Sequence, residues 1–516
     1  MKASDSVILT LENCTLRLAD GDEVAVATRD LAPGTVLETG EGPAFEVRAN
    51  VPRGHKIALT DVLAGAPVHK YGQSIGRALT DIRRGEHVHT HNLGMDEVQQ
   101  DYEFGTARVT PQAPAGERPS FQGYRRANGK VGTRNYVGIL TSVNCSASTA
   151  RMIADQFRGP ALDDFPNVDG VFALTHGSGC GMVLGSEGAE VLVRTLRGYA
   201  HHPNFAGLLV LGLGCEMLQT ERFLDADTSA QFIERLTIQD AGGIRATVKA
   251  GVALIQGMLP SINELQRETV DVSELVLGLN CGGSDGYSGI TANPALGVAS
   301  DLIVAYGGTS VLAETPEVFG AEHLLTRRAV APEVGQRLLN QLTWWQEYAT
   351  AGGGSLDNNP SPGNKAGGLT TILEKSLGAV AKAGQAELSG VYGYAEPVTS
   401  RGLVFMDTPG YDPVSVTGIV AGGANVVCFT TGRGSVFGCK PVPSIKLGTN
   451  TELYNRMPDD LDLNCGVIVD GAATVQEVGE LIFARILAVA SGQQTVSEEL
   501  DLGQEEFVPW QLGTVT

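Results

Sequence analysis

The sequence predicts an α/β protein in which a small N-terminal all-β module precedes a multi-lobed α/β region with mostly parallel sheets. Residues 1–95 contain short apolar runs separated by glycines, a pattern typical of short strands and turns. From residue 121 onward, short apolar runs alternate with longer helical patterns. Because Val, Leu and Ile occupy consecutive positions in these runs, they favour parallel strands that are buried on both faces.

The predicted elements follow one another along the chain. In the N-terminal module, strands are predicted at Ser6–Leu11, Glu23–Ala27, Ala44–Val51 and Lys56–Asp61. Residues 96–120 are polar and aperiodic, so they are predicted to form a linker. The later predicted strands are Tyr136–Leu140, Gly170–Leu174, Ala206–Leu213, Leu275–Leu279, Leu302–Ala305, Leu403–Met406, Asn425–Thr430 and Gly466–Val469. The predicted helices are Ser148–Phe157, Gly188–Tyr199, Ala246–Leu259, Val334–Tyr348 and Ala473–Ser491.

The composition excludes several classes of protein. The chain has 516 residues, enough for several domains with a sizeable core, and 66 of them are Gly. This surplus of glycine indicates tight turns and sites built from loops. With 37 basic and 58 acidic residues, the net charge of −21 disfavours nucleic acid as a partner. A few local cations could nevertheless bind a small anionic substrate.

No apolar stretch is long enough for a transmembrane helix, and the first residues, MKASDSVILTLENC, do not match a signal peptide. We therefore expect a cytoplasmic protein that makes no membrane contact. Eight cysteines in 516 residues are too few for a disulfide scaffold, so we expect them to be buried thiols or metal ligands.

Four of the predicted strands are each followed by a cysteine. Ligands of open α/β sheets bind beyond the carboxyl ends of the strands, so these turns are candidate sites. Thiolates there could hold zinc, iron or an iron–sulfur cluster, whereas free cysteines often pack as small hydrophobic residues. Both interpretations stay open, because the chain contains no C-x2-C pair. The four residues are Cys145, Cys180, Cys215 and Cys281, and His176 lies in the turn before Cys180.

Five of the nine histidines lie between residues 55 and 91. His87, His89 and His91 alternate, so on a strand they would share one face. A neutral imidazole there could bind a metal or act as a general base, while a solvated polar face is the alternative. His55 and Lys56 follow a glycine in a predicted turn, where they could bind a carboxylate.

A glycine-rich turn, Thr430–Ser435, follows another predicted strand and contains Arg433. Backbone amides and a guanidinium fork in such a turn can bind an anion, and a purely structural turn is the alternative. The turn is not a P-loop, because no Gly-Lys-Ser/Thr follows it. It is not a dinucleotide-binding fingerprint either, because Pro441 and Pro443 follow instead of a helix and no acidic residue lies at the required distance. A similar polar loop, residues 358–368, contains Lys365.

Taken together, these segments resemble the altronate/galactarate dehydratase family. The resemblance spans nearly the whole chain in the family's order, which makes it more specific than any one glycine-rich loop. The segments that carry it are GHKIAL (54–59), KYGQSIG (70–76), HVHTHN (87–92), GYRRANGKVGTRNY (123–136), SVNCSA (142–147), HPNFAGLLVLGLGCE (202–216), CGGSDGYSGITANPALG (281–297), NPSPGNKAGG (359–368) and FTTGRGSVFG (429–438).

The resemblance implies an N-terminal β-clip (SAF) domain at residues 1–95, the linker at 96–120, and two α/β dehydratase domains at residues 121–265 and 266–516. It implies a hydro-lyase that dehydrates a sugar acid, either an altronate-type aldonate or a galactarate-type aldarate, to a 2-keto-3-deoxy acid. It also implies a divalent metal, Fe²⁺ in the first place, with Mn²⁺ or an iron–sulfur centre as alternatives. We further expect a homo-oligomer.

Such a dehydration needs a base for the proton α to the carboxylate, and an acid or a metal that assists the departure of hydroxide. Following the resemblance, we assign metal binding to Cys145, His176, Cys180, Cys215 and Cys281. We assign substrate binding to Asp285, Asn293, Lys365 and Arg433. We assign acid–base catalysis to His55, Lys56 and His89.

Three other functions compete with this hypothesis. A carbon–sulfur lyase of the same family would release sulfite from sulfolactate. An NAD-dependent oxidoreductase would suit an α/β fold, but the chain lacks the dinucleotide fingerprint. A sugar-acid binding protein without catalytic activity is the third alternative.

Overall fold

A computed structural model describes residues 7–40, 42–96, 101–225 and 228–513. Its N-terminal part consists of short strands joined by turns, as the glycine-punctuated pattern predicts. The predicted run Ser6–Leu11 contributes a strand that starts at residue 8, and Ser6 itself lies outside the described residues. The strands of this module are β1 (Ile8–Thr10), β2 (Thr15–Leu16), β3 (Val24–Ala27), β4 (Val36–Thr39), β5 (Gly42–Glu46), β6 (Lys56–Ala58), β7 (Pro67–Lys70), β8 (Gln73–Ala78), β9 (His87–Val88) and β10 (Leu93–Gly94).

These strands form three small sheets with the orders β1-β4-β5, β2-β3-β6-β9 and β10-β8-β7. Apolar side chains such as Ala25, Leu37 and Ile57 fill a core inside the module. The sequence predicts that His87, His89 and His91 share one face of a strand. Only His87 lies on a strand, because β9 ends at Val88 and both His89 and His91 lie in the turn that follows.

The second region, residues 120–263, carries a parallel sheet with the order β14-β13-β15-β16. Alternate residues of its central strand face opposite sides: Val137 and Ile139 pack with α1 and α3, whereas Tyr136 and Leu140 pack with α2. The elements of this region are β11 (Ser120–Arg125), β12 (Val131–Gly132), β13 (Tyr136–Thr141), α1 (Ala147–Ala154), β14 (Gly170–Leu174), α2 (Glu187–Ala200), β15 (Phe205–Gly212), β16 (Phe232–Thr237) and α3 (Ile244–Asn263).

The third region, residues 268–513, contains the largest sheet. Most of its strands are followed by a helix, as in other doubly wound folds. Its elements are β17 (Glu268–Asp271), β18 (Val276–Cys281), α4 (Ala292–Ala305), β19 (Thr309–Leu312), α5 (His323–Thr326), α6 (Pro332–Ala351), α7 (Pro362–Ala366), α8 (Ile372–Val380), β20 (Leu388–Tyr392), β21 (Gly402–Met406), α9 (Asp412–Ala421), β22 (Val426–Thr431), β23 (Ser444–Gly448), α10 (Thr451–Arg456), β24 (Leu463–Asn464), α11 (Val475–Ala490) and α12 (Val496–Glu499).

The strand order of this sheet is β20-β21-β19-β18-β22-β23-β24, and all its pairings are parallel. The predicted fold class, a small all-β module followed by α/β regions with mostly parallel sheets, is therefore confirmed. Two predicted strands are wrong. Leu302–Ala305 is the last turn of α4, and the predicted strand Gly466–Val469 overlaps a short 3-10 helix, Cys465–Ile468.

The end of the chain returns to the second region. Trp510 stacks on Trp345 of α6, with their ring centroids 5.2 Å apart, and Leu512 packs against Gly188 of α2. Helices α2 and α9 also approach closely where Gly198 meets Ala421. Among the described residues, no helix is long and apolar enough to cross a membrane.

A buried carboxylate joins the N-terminal module to the third region. Glu374 of α8 accepts hydrogen bonds from Lys56 (2.8 Å) and from Lys70 (2.9 Å), and all three side chains are fully buried. Lys56 also donates to the carbonyl of Gly368, at 2.7 Å. Burial alone would raise the pKa of Glu374, but the two ammonium groups outweigh it and hold the pKa below its ordinary value. The carboxylate and the lysines therefore stay charged and fix the module in place.

We predict that Glu374→Gln weakens this docking, because two buried ammonium groups would face a neutral amide. Removing one member of a buried ion pair costs about 3–5 kcal/mol. Thermal unfolding should therefore start at a lower temperature, and limited proteolysis within residues 101–119 should become faster.

The matched control is Asp470→Asn, which removes a partly exposed ion pair with Arg53 at the same interface. Exposed pairs contribute about 0–1 kcal/mol, so this variant should behave nearly like the unsubstituted protein. Equal effects of the two substitutions would contradict the central role of Glu374.

Candidate functional site

Loops after neighbouring strands of the third region meet at one edge of the sheet. Parallel strands place all their carboxyl ends at the same edge, where open α/β sheets bind ligands. Strand β18 ends with Cys281, the loop after β19 contains Glu314, and the loop after β22 contains Arg433. The docked N-terminal module covers part of this edge.

A cavity of about 140 Å³ lies between the N-terminal module and these loops. His55 and Arg53 line it from the module, and Asp285, Arg433 and Arg456 line it from the third region. Arg53 is engaged with a tyrosine hydroxyl (3.3 Å) and a carboxylate (3.1 Å). The side chains of Arg433 and Arg456 have no hydrogen-bond or ion-pair partner among the described residues. Two unpaired guanidinium groups at a small cavity are suited to binding a carboxylate.

Asp285 anchors the loops that form this cavity. Its buried carboxylate accepts hydrogen bonds from the hydroxyl groups of Ser288 and Thr449 and from the amide of Asn450, each at 3.0 Å. Burial raises the pKa of Asp285, and these hydrogen bonds oppose that effect. A Cβ at Gly432 would clash with the Asp285 side chain, so the loop after β22 approaches closely only with glycine there. Asp285 therefore lies at the predicted site, but its carboxylate is occupied.

The histidines of the N-terminal module form a stack beside the cavity. Rings of His55 and His89 lie 5.1 Å apart, and Nδ1 of His55 is 3.0 Å from Nε2 of His87. Nε2 of His89 donates to the carbonyl of Lys365, at 2.8 Å. Burial lowers the pKa of His55 to about 4 and that of His87 to about 3. The rings are therefore neutral near pH 7, and each keeps a nitrogen lone pair.

Three other predicted residues, Lys56, Asn293 and Lys365, lie at this edge, and the side chains of the first two are engaged in hydrogen bonds. Lys56 is held by Glu374 and by a backbone carbonyl, so its ammonium is not available as a base in this arrangement. Asn293 is buried and bonds to the carbonyl of Gly378 (2.8 Å) and the hydroxyl of Thr430 (2.7 Å). The backbone of Lys365 receives the hydrogen bond from the histidine stack. These residues position the loops around the cavity.

A second group of side chains, the acid–thiol cluster, lies deeper at the same edge. Ligand atoms of Cys281, Glu314 and Glu317 all lie within 4.8 Å of one another, and all three residues are buried. Lys382 Nζ lies 2.8 Å from the Cys281 sulfur and 3.1 Å from Glu314. Lys375 donates to Glu317, at 2.7 Å. The cluster thus combines a thiol, carboxylates and lysines without access to bulk water.

The charges of this cluster are not balanced. Burial raises the pKa of Cys281 and raises that of Glu314 to about 8. Burial and the nearby Glu317 raise the pKa of Asp412 to about 7. Burial would also raise the pKa of Glu317, but the adjacent Lys375 outweighs it and holds the pKa below its ordinary value. Protons therefore occupy acidic groups that would ionise if another positive charge were present.

Glu314 shows two further signs of a special role. Its backbone has φ 70°, a left-handed conformation that costs energy for a residue with a side chain. One of its carboxylate oxygens, Oε1, is buried and has no hydrogen-bond partner in the part of the chain that the structure describes. Strained backbone and unsatisfied buried oxygens are uncommon in proteins and often mark functional sites.

Of the acid–thiol cluster, only Cys281 is among the site residues predicted from the sequence. Glu314 and Glu317 are not, because a strand was predicted at Leu302–Ala305, whereas the strand is β19, Thr309–Leu312. Both glutamates follow β19. If that strand had been predicted, the expectation that residues after a strand line the site would have included them. Asp412 and the lysines carry no such signal, because they come from helices or loops remote in sequence.

The predicted metal ligands lie in two separate places. Cys281 belongs to the acid–thiol cluster, whereas Cys145, Cys180 and Cys215 are exposed on loops of the second region. The four cysteines therefore do not surround one ion, because β18 belongs to a different sheet from β13, β14 and β15. His176 is buried near Cys180, with Nε2 3.0 Å from the carbonyl of Thr141, so the structure places it as a support of its loop.

Comparisons with known proteins agree with this architecture. Sequence models of three domains match the chain: the altronate/galactarate dehydratase SAF domain at residues 13–96, the second domain of D-galactarate dehydratase/altronate hydrolase at 123–263, and the C-terminal domain of D-galactarate/altronate dehydratase at 272–515.

Similar proteins cover nearly the whole chain. A galactarate dehydratase (L-threo-forming) of Escherichia coli is 41% identical over 94% of this chain and 95% of its own length. An altronate dehydratase of Bacillus subtilis is 37% identical over 94% of this chain and 97% of its own length. The (2R)-sulfolactate sulfo-lyase subunit beta of Chromohalobacter salexigens is 33% identical over 75% of this chain and 96% of its own length. The chain therefore belongs to the galactarate/altronate dehydratase family.

Proposed function

We propose that this chain is a hydro-lyase that removes water from a sugar acid, an altronate-type aldonate or a galactarate-type aldarate, to give a 2-keto-3-deoxy acid. The observation that carries the proposal is the interdomain cavity, where two unpaired arginines meet a neutral histidine. The activities named for the similar proteins support it. Cys281 of the acid–thiol cluster and Asp285 at the cavity wall belong to one short segment, residues 281–286. This segment of backbone links the cluster to the cavity.

In this proposal, Arg433 and Arg456 bind the substrate carboxylate. Both side chains line the cavity and neither has another partner among the described residues. A guanidinium can donate two parallel hydrogen bonds to one carboxylate, which fixes the orientation of the acid as well as its position. Asp285, Asn293 and Lys365 support these loops through the hydrogen bonds described above.

We assign the base to His55, which lines the cavity, and a positioning role to His89, which braces the Lys365 loop. In the present arrangement Nε2–H of His55 donates to the carbonyl of Ala366, 3.3 Å away at the cavity wall, so the lone pair is on Nδ1, 3.0 Å from Nε2 of His87. When a substrate displaces the contact with Ala366, the other tautomer, in which Nδ1–H donates to His87, leaves the lone pair on Nε2 facing the cavity. Nε2 can then take the proton α to the bound carboxylate, while the arginines stabilise the negative charge that develops.

The acid–thiol cluster fits a divalent metal, with Fe²⁺ preferred and Mn²⁺ as an alternative. Cys281, Glu314, Glu317 and Asp412 carry four negative charges when ionised, and Lys375 and Lys382 balance two of them. One divalent cation would neutralise the rest, and it would satisfy the unpaired oxygen of Glu314. One thiolate with several carboxylates suits a borderline ion. Such an ion, when bound, supplies Lewis acidity for hydroxide departure.

We further propose that the protein acts in the cytoplasm as a homo-oligomer. Exposed apolar side chains on the second region, including Met152, Val183 and Met217, support association with a second copy. A carbon–sulfur lyase acting on sulfolactate is the second candidate function, because a chain with that activity in its name is similar to three quarters of this one. A sulfonate or a carboxylate would suit the same arginines.

We predict that the purified chain, kept anaerobic with Fe²⁺, converts altronate or galactarate to a keto acid without NAD. The readout is keto-acid formation by a semicarbazide or thiobarbiturate assay, run in parallel with sulfite release from sulfolactate. Arg433→Met is the matched variant and should raise the KM for the same acid, because it removes a bidentate partner of the carboxylate.

Release of sulfite without dehydration of either sugar acid would favour the carbon–sulfur lyase. Turnover that requires NAD would overturn both lyase hypotheses. If none of the three acids reacts while the folded protein still binds Mn²⁺, the substrate assignment is wrong.

We predict that His55→Gln lowers kcat by about 10²–10⁴, because it removes the proposed general base. His91→Gln is the control, since this exposed ring lies at the outer end of the stack, 5.6 Å from His87. Because burial lowers the pKa of His55 to about 4, the active neutral form should persist as the pH falls below 6.5. An acid limb of kcat/KM with its midpoint near pH 6.5 would contradict this assignment.

We predict that the acid–thiol cluster binds one Mn²⁺ per chain and that Cys281→Ser and Glu317→Gln weaken binding at least tenfold. Loss of groups that merely support metal ligands already costs about 10–100-fold in affinity. The measurement is electron paramagnetic resonance of free Mn²⁺ during titration. Cys145→Ser is the control and should bind Mn²⁺ normally. Unchanged affinity in both cluster variants would exclude this metal site.

A further inference from the structure

Three cysteines of the second region are exposed, although cysteine is among the residues most often buried in proteins. Cys145, Cys180 and Cys215 follow β13, β14 and β15, which are neighbours in the parallel sheet. The other five cysteines of the chain are buried, and they are Cys14, Cys281, Cys428, Cys439 and Cys465. Packing explains the buried thiols, but it does not explain three exposed thiols at one edge of a sheet.

Backbone contacts join the three loops that carry these thiols. The amide of Asn144 donates to the carbonyl of Ser178, at 2.9 Å, and the amide of Leu218 donates to the carbonyl of Gly179, at 3.1 Å. Gly179 has φ 100°, and a Cβ there would clash with the carbonyl of Ser142. The loop after β14 therefore lies directly against the other two, and the cysteines share one continuous surface.

Other ligand groups near this surface are already occupied. His176 is buried, with Nε2 3.0 Å from the carbonyl of Thr141 and Nδ1 accepting from the amide of Ser178. Glu216 accepts from the amide of Gly214 (2.6 Å) and from a serine hydroxyl (2.6 Å). These bonds hold the loops in shape. Among the described residues the sulfurs of Cys145 and Cys180 have no hydrogen-bond partner, and the sulfur of Cys215 accepts one bond, at 3.4 Å, from the exposed amide of Gln239. The three thiols are therefore accessible as ligands.

The spacing of the thiols argues against a single ion. Two sulfurs bound to one tetrahedral metal at 2.3 Å lie about 3.8 Å apart. Within the described part of the chain, only the acid–thiol cluster brings three ligand atoms within 4.8 Å of one another. At least two of the three exposed sulfurs are therefore more than 4.8 Å apart, which is too far for one ion and compatible with sulfurs that bind different metal atoms.

We propose that Cys145, Cys180 and Cys215 hold a [4Fe–4S] cluster, with one thiolate on each of three irons and the fourth iron open to a ligand from outside the chain. Cysteine thiolates are the usual ligands of such clusters. Each thiol loses its proton when it binds iron. This site is distinct from the acid–thiol cluster, and its existence does not depend on the reaction proposed above.

The test is anaerobic reconstitution of the full chain with sulfide and equal amounts of ferrous and ferric iron, which together have the composition of an oxidised [4Fe–4S] cluster. After desalting, we expect about four irons and four acid-labile sulfides per chain. We also expect broad visible absorbance that bleaches on reduction. Single Ser substitutions of Cys145, Cys180 and Cys215 should each reduce the retained sulfide at least severalfold.

Met217→Ser is the matched control, because it changes an exposed side chain two residues from Cys215 and should retain the cluster. Circular dichroism checks that the Ser variants keep their fold, since the three cysteines are exposed. Iron without sulfide, or one iron or zinc per chain, would overturn the proposal. Full cluster content in folded Ser variants would overturn it as well. Neither result would alter the dehydratase proposal, which rests on the cavity between the N-terminal module and the third region.

Discussion

The buried Glu374 carboxylate, held between Lys56 and Lys70, determines where the N-terminal module sits on the largest sheet. Charges that are removed from water are stable only when they are paired and hydrogen-bonded, so this group favours one docked arrangement over alternatives. His55 adjoins Lys56 in the chain, and the same docking therefore brings its imidazole to the cavity wall. A module of short strands with a small core thus contributes to a site that it could not form alone.

The carboxyl edge of the largest sheet carries two different environments, the cavity and the acid–thiol cluster, which are connected by short loops. At the cavity, Arg433 and Arg456 are exposed and their guanidinium groups have no partner among the described residues, which suits an anion that arrives from outside. In the acid–thiol cluster, burial keeps protons on acidic groups and leaves one oxygen of Glu314 unsatisfied. Such an arrangement is costly for an isolated protein and becomes favourable once a cation is present. The loop from Cys281 to Asp285 couples the two environments through one segment of backbone.

Cysteines at equivalent strand ends have opposite surroundings in the two parallel sheets. Cys281 ends β18 in the centre of the larger sheet, where helices and the docked module exclude water and Lys382 contacts its sulfur. Cys145, Cys180 and Cys215 lie in the loops after strands of the smaller sheet, where residues 509–513 pack beside Cys180 but leave all three thiols exposed. The same local motif therefore yields a buried thiol in one case and exposed thiols in the other.

The sequence alone determined the fold class, the all-β module, most strands and helices, and the importance of loops that follow strands, because periodicity and glycine turns are local properties. It also predicted His55, Arg433 and Cys281 as site residues, and the structure places all three at one edge of the largest sheet. Where the helix-forming segment Leu302–Ala305 was assigned to a strand, Glu314 and Glu317 were missed. Only the tertiary structure decided which loops meet, that Lys56 is ion-paired with Glu374, and that Cys281 is buried whereas the other three cysteines after strands are exposed. Those outcomes depend on pairing between residues far apart in the chain, which local pattern does not encode.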